Sequence, residues 1–394
     1  MGSDAAIDWR LAARERLRTL VLEDAALAAS LAEAWHPEDF AARLAEVAQR
    51  RGVSIGAHEI GELLPGARPT PLASLPSPDA LADWRPTRVA GEGDTALIEW
   101  VWFGGRRLLE PFYEDSIAAA RSSPFNRLFG FSTPLAALAR PADALEPAGL
   151  IFHMSRCGST LATQMLAALP QTVVVSEAAP LDAVVRLDPA AAGLDAAAHV
   201  QLLRAMLGAV GRPTGGRETQ LFVKLDSWHT RALPLLRRAF PTTPWIFLIR
   251  EPVEVLVSHL RRPGLQAAGM LPEEVVGAAW TDGSSLETYA AAALAGICEA
   301  AAQGLDGGGL VVNYAELPEA VETHVLPHFG VTPSTADAAA MALATRNHAK
   351  APSTPFTPDS AAKQAFATDV VRAAVHGRLA DAYARLEAVR TART

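Results

Sequence analysis

Residues 151–166 read IFHMSRCGSTLATQML, and the fold turns on how that stretch divides. Its first residues end an apolar run, GLIFH, of the kind that makes a buried strand. Ser155–Thr160 interrupts with a short polar loop, after which apolar residues return with helical spacing. Strand, tight loop and helix in that order can cradle a phosphate. Gly158 lets the backbone turn and approach a ligand. The first amides of the helix lack intrahelical acceptors, and the helix dipole favours an anion beside them. Ser159 and Thr160 add hydroxyl donors, and Arg156 adds a fixed positive charge. Ser and Thr are also good N-caps, so the loop alone leaves an ordinary capped helix equally open. The G-x-x-x-x-G-K-[ST] ending of ATPases is absent, because Ser159 follows Gly158.

Working outward, the strands GLIFH, TVVVS, QLFVK, PWIFLI and GLVVNY alternate with helical segments from Gly149 onward. That alternation predicts an α/β fold with a parallel central sheet flanked by helices. A long helix from Ala365 to Arg390 is expected to close the chain. Before Gly149 the pattern differs. Residues 1–65 read as a helical accessory module. In it LEDAALAASLAEA makes one helix, HPEDFAARLAEVAQRRG a second with Pro37 early and Gly52 at its C-cap, and SIGAHEIGELL begins a third. Pro65–Pro86 is proline-rich and reads as a linker or an extended segment. TALIEWVWFGGRRLLEPFYEDSI predicts a β-hairpin turning at Gly104-Gly105, with Trp100, Trp102, Phe103, Phe112 and Tyr113 read as packing residues. The chain thus divides into 1–65, a linker, hairpin and connector over 66–148, and an α/β domain over 149–394.

The totals narrow the class. The chain has 394 residues, half of them apolar and a fifth charged, which suits a globular protein with a substantial core. No run approaches the roughly 20 apolar residues of a membrane span. The polar, acidic start MGSDAAIDWR is neither a signal peptide nor, with Ala6, a myristoylation site. Two cysteines, Cys157 and Cys298, imply a reducing cytoplasm rather than a disulfide framework, and no strong zinc site is evident. A net charge of −8 argues against nucleic-acid binding, and no membrane partner is expected. All but three of the 35 basic residues are arginine, which singles out Lys224, Lys350 and Lys363 as positions where a compact ammonium is used.

A second motif, PWIFLIREPVEVLVSHLRR, is a strand running into Arg250, with Ser258 about two helical turns beyond. A guanidinium forks onto phosphate oxygens, and a helical hydroxyl can add a hydrogen bond. Taken with RCGSTL, this motif makes the stretch from Gly149 to Lys363 resemble the sulfotransferase family. That family transfers sulfuryl groups from 3′-phosphoadenosine 5′-phosphosulfate (PAPS), and its P-loop-like sheet is the fold the resemblance implies.

The resemblance assigns roles residue by residue. The family loop [KR]-S-G-[TS]-[TS]-[LW] grips the 5′-phosphosulfate, which implies Arg156, Cys157, Gly158, Ser159 and Thr160, with Cys157 replacing a serine. A Cys157 thiol at a helix start could also be reactive. Arg250 and Ser258 correspond to the 3′-phosphate ligands, and Arg262 matches an arginine of the tyrosylprotein branch. LVVNYAEL is similar to a family segment whose tyrosine supports the nucleotide, here Tyr314, although Ala315 replaces the usual acid. Lys350, in RNHAKAPSTPFTPDSAAK, matches a basic lid over it. FVKLDSW resembles a stretch whose lysine acts on the leaving oxygen, implying Lys224 with Asp226 orienting it. Glu177, in TVVVSEAAPL, is spaced from Arg156 as the catalytic base is in that branch, with Ala179 where an arginine follows there. His153 and His259 are alternative bases.

Sulfuryl transfer needs cations near the leaving oxygen, Arg156 and Lys224, and one base, but in principle no metal. The acceptor would be a small molecule or a peptide carrying a hydroxyl or amine. The N-terminal helices resemble the leader-peptide module of nitrogen-fixation and nitrile-hydratase-type precursors, which implies a peptide or protein partner there. Two competing readings are a P-loop kinase using ATP and an inactive peptide-binding protein on the same scaffold.

Overall fold

The computed structural model describes residues 3–64, 69–72, 74–305, 308–355 and 357–392. Residues 65–68 and 73 of the proline-rich stretch, and 356 of the segment expected to form a lid, lie outside the described residues. Where the sequence suggested consecutive segments, the residues gather into two compact units that interleave along the chain. The first holds Met1–Arg107, Tyr113–Ala144 and Ala179–Gly216; the second holds Leu108–Phe112, Leu145–Ala178 and Arg217–Thr394. Among the described residues, no helix is long and apolar enough to cross a membrane.

The second unit is built on a five-stranded parallel sheet. Its strands are β1 (Pro147–His153), β2 (Thr172–Ser176), β3 (Gln220–Lys224), β4 (Trp245–Ile249) and β5 (Gly309–Asn313), in the order β2-β3-β1-β4-β5. Every residue of β4 is buried, as expected of a strand covered on both faces. Gly309 admits the Trp245 ring, because a Cβ there would fall 2.3 Å from it. The register aligns the carboxyl ends: Ile151 and Ser176 both pair with Lys224, His153 pairs with Leu248, and Ile249 with Asn313. The chain leaves β1 toward β2 on one side and leaves neighbouring β4 toward β5 on the other. A parallel sheet opens its ligand crevice where connections diverge in this way, at the carboxyl ends.

The helices placing the site are α1 (Ser159–Ala167), α2 (Pro252–Arg261), α3 (Leu286–Gly304) and α4 (Ser360–Phe366). Val253, Leu256 and Val257 of α2 pack with Ala290 and Ala291 of α3 and with Val371 and Val375. The long C-terminal helix expected over Ala365–Arg390 is instead three pieces, α4, Asp369–Arg378 and Ala380–Thr391. Ala367 is extended and Thr368 caps the next piece by accepting from the Val371 amide, so a new helix starts there.

In the first unit, the hairpin does not turn at Gly104-Gly105. Its strands are Trp84–Ala90 and Leu97–Trp102, with Trp84 opposite Trp102, and the reversal uses Gly91 and Gly93, both at positive φ. The proline-rich stretch therefore ends in a strand, in line with the extended alternative rather than with a linker. Trp100, Trp102, Phe103 and Tyr113 are buried, as expected of packing residues, and Trp84 meets Phe131 and Trp102 at 4.6 and 5.7 Å between ring centroids. The helix read as one across LEDAALAASLAEA is two: Ser3–Glu23 ends before Asp24, which caps Ala25–Ala32 by accepting from the Leu27 amide. Pro37–Arg50 follows its expectation, with Pro37 in its first turn and Gly52 at φ +71 just beyond its end.

Candidate active site

Most of the expected site residues sit at or just after the carboxyl end of a sheet strand, whereas Ser258 and Arg262 lie on and just beyond a helix and Lys350 lies in the late loop. The 154–158 loop follows β1, Glu177 follows β2, Lys224 ends β3, Arg250 follows β4 and Tyr314 follows β5. Register alone therefore brings five chain segments to one sheet edge. Among the described residues, three that are not glycine adopt φ in the left-handed region, Ser155 at 76°, Arg156 at 53° and Glu177 at 52°, and all three lie at this edge. Such conformations cost about 1–3 kcal/mol each and persist where surrounding structure enforces them, commonly at functional sites.

Gly158, at φ +84, is the N-cap of α1 and has no side chain with which to cap it. A Cβ there would fall 2.7 Å from both Tyr314 and Leu317, so the close approach of those side chains demands glycine. The loop opens into a cavity of about 550 Å³ whose wall includes Arg156, Ser159, Arg250, Ser258, Tyr314 and Lys350. Cys157, Gly158 and Thr160 also line it. The expected 5′-end loop and the expected 3′-end residues thus face one space. Arg262 is not on that wall: its backbone carbonyl accepts from Arg156 Nη2 at 2.8 Å, and its own side chain is exposed. The expected guanidinium contribution from Arg262 is therefore replaced by a carbonyl that fixes Arg156. Cys157 is fully buried and burial pushes its thiol up to about 12, which argues against a reactive thiolate.

Beside the loop lies a buried charged cluster. Lys224 Nζ is 2.7 Å from Glu177 Oε1 and donates to Thr160 Oγ1 at 3.2 Å. The Asp226 carboxylate lies 3.9 Å from His229 Nδ1. His153 Nε2 is 3.3 Å from the same Glu177 oxygen and 3.0 Å from the Leu225 carbonyl. Desolvation alone would raise the Glu177 carboxyl, but Lys224 and His153 more than offset it and hold it well below the usual carboxylate range.

The two histidines offered as bases are unsuited to that work. His153 Nδ1 accepts from the Ser155 amide at 3.0 Å, and His259 Nδ1 accepts from the Gly264 amide at 3.2 Å. A neutral imidazole has one lone-pair nitrogen, and in both rings a backbone N–H already occupies it. Burial also lowers both, His259 to about 3 with help from Arg156 and Lys350. Glu177 is the remaining candidate of the three.

Phe112 departs from the packing role expected of it. It belongs with the second unit, where Lys224 Nζ stands 4.6 Å and Lys350 Nζ 5.5 Å from its ring centroid. A ring face between two ammonium groups is a cation–π arrangement. Asp359 and Glu254, which bind Arg250 in the structure, were not among the expected site residues. Acid and base four residues apart, Asp359 with Lys363, was the available signal.

No protein-family model matches the chain, and no curated protein matches it in sequence. Among solved structures it is similar to the sulfotransferase domain from the curacin biosynthetic pathway, at 16% identity and a TM-score of 0.35, covering 53% of this chain and 81% of that one. It is also similar to the sulfotransferase STF1 from Mycobacterium tuberculosis H37Rv, at 15% identity and a TM-score of 0.33, covering 64% of this chain and 83% of that one. At such low TM-scores neither likeness carries an argument, so the functional reading rests on the site itself.

Proposed function

We propose that the second unit is a sulfotransferase that moves a sulfuryl group in line from PAPS to a hydroxyl or amine acceptor. The observation supporting it most is the shared cavity: the Arg156–Thr160 loop, Arg250 and Ser258 wall one space of about 550 Å³. That size suits a nucleotide-sized ligand. Backbone amides at the start of α1, two hydroxyls and Arg156 fit one anionic end of the donor, while Ser258 and Arg250 fit another. PAPS supplies an activated sulfuryl group on a phosphate leaving oxygen. Lys224, held by Thr160 and Glu177, is the proposed cation for charge on that oxygen, with Arg156 of the loop as the second. Glu177 is the proposed base. It is held ionised, but Lys224 and His153 keep its proton affinity low, so the proposed base role requires the Lys224 charge to shift onto the leaving oxygen during transfer. The proposed setting is a reducing cytoplasm, in keeping with two free, buried cysteines.

Calorimetry on the full chain tests this reading. PAP, the product nucleotide, is expected to bind without divalent metal and more tightly than ATP with magnesium. Tighter ATP binding with magnesium-dependent turnover would assign a kinase. Tight PAP binding with no transfer to a broad acceptor panel would assign an inactive scaffold.

Lys350 gives the binding a pH signature. Desolvation in the cavity wall, although Lys350 itself is exposed, and then Arg156 and Lys224 lower its ammonium to about 8. The charged form, which favours an anionic ligand, prevails below that value and is lost above it. PAP affinity is therefore expected to fall as pH rises past about 8, and Lys350→Met to remove the fall. An identical alkaline decline in the variant would take Lys350 out of the donor site.

A further inference from the structure

Arg250 is already occupied. Its Nε donates to Glu254 Oε2 at 2.7 Å, and its Nη2 lies 2.6 Å from the same oxygen and 2.8 Å from Asp359 Oδ1. Ser360 Oγ accepts from Nη2 at 3.1 Å, and the Tyr314 ring covers the guanidinium at 4.0 Å. Lys363 Nζ lies 2.8 Å from the other Asp359 oxygen. Two cations thus face two carboxylates, and the quartet carries no net formal charge. A phosphate dianion added to it would meet Asp359 and Glu254 at close range, where like charges repel strongly.

The two carboxylates are not equally held. Glu254 sits on α2 four residues from Arg250, with a side chain only 10% exposed. Asp359 is 49% exposed and stands at the start of α4, where its side chain makes no capping bond. One acid is fixed, while the other reaches solvent and can swing away from the cations. Asp359 also touches both cations, as a bridging phosphate would.

We propose that Asp359 is an internal stand-in for the donor's 3′-phosphate, a carboxylate that pairs with Arg250 and Lys363 and must be displaced for the nucleotide's 3′-phosphate to reach them. The inference rests on the PAPS reading above and adds a residue that sets nucleotide affinity. Binding becomes an exchange of one anion for another, which keeps the cations paired throughout. It also weakens the hold on product PAP, because Asp359 returns as the nucleotide leaves. A nucleotide with a free 3′-hydroxyl makes no claim on Arg250, so it leaves Asp359 where it is.

Calorimetry on the full chain with PAP and with AMP, which differ by the 3′-phosphate, tests this. Asp359→Asn is expected to tighten PAP about tenfold by removing the competing charge, with AMP changed less than about twofold. Asp359→Ser, which likewise removes the charge and keeps a residue suited to a helix start, is expected to do the same. PAP affinity unchanged or weakened in both variants would overturn the proposal while leaving the donor reading intact. Weakening of AMP and PAP together would also overturn it, because Asp359 would then be accepting from the ribose or merely holding α4. If neither nucleotide binds the parent chain or the variants, the donor reading itself fails and this inference falls with it.

Discussion

Lys224→Met is expected to lower sulfuryl transfer about a hundred- to a thousandfold while leaving PAP affinity nearly unchanged, the effect of removing one preorganised charge from a transition state. Its ammonium is fully buried, 2.7 Å from Glu177 and 3.2 Å from Thr160 Oγ1, and stacked over Phe112 at 4.6 Å. A lysine so placed has few roles open to it. A lysine serving stability alone would lose melting temperature on substitution but keep its rate. The discriminating measurement is a single-turnover rate with PAPS beside the PAP dissociation constant. A rate within about tenfold of the parent would assign Lys224 to the architecture.

Glu177→Gln is expected to abolish turnover with PAP affinity preserved, and it carries a stability signature as well. The change leaves the fully buried Lys224 ammonium without its carboxylate. Breaking a buried pair from one side costs about 3–5 kcal/mol, and the quarter-exposed Glu177 side chain puts this case near 3. Because removing both partners removes the orphaned charge, the double variant with Lys224→Met should lose less than the two single losses together. The acid limb has a definite sign. Folded Glu177 holds a proton more weakly than the unfolded chain does, so its stabilisation is full at neutral pH. It fades as pH falls below the ordinary carboxylate range, and Glu177→Gln should flatten that decline. Normal turnover in this variant would remove Glu177 from the proposed role.

The sheet and the site edge were legible because strand ends are local features. An apolar run followed at once by Glu177, Lys224 or Arg250 announces a residue at the carboxyl edge, and parallel register then gathers those residues whatever the connections do. The loop 155–160 was legible for the same reason. What escaped depended on competition between near-equal local choices or on distant chain. Alternation across Gly104-Gly105 suited a hairpin, but the turn formed at Gly91 and Gly93, where Trp84 could pair with Trp102 and join the aromatic core. The helical periodicity after Ala365 carried no sign that Thr368 would cap a new start. Asp359 lies 109 positions from Arg250, so only the fold could reveal that contact. Phe112 was hidden likewise: in sequence it belongs to an aromatic packing run, and in space to two lysines.

The central claim is that one donor bridges the Gly158 loop and Arg250, and a crystal structure of the full chain with PAP tests it most directly. The account predicts the 5′-phosphate on the amides and hydroxyls of Ser159 and Thr160, with the 3′-phosphate on Arg250 and Ser258. PAP seated elsewhere, or bound with its 3′-phosphate away from Arg250, would contradict it.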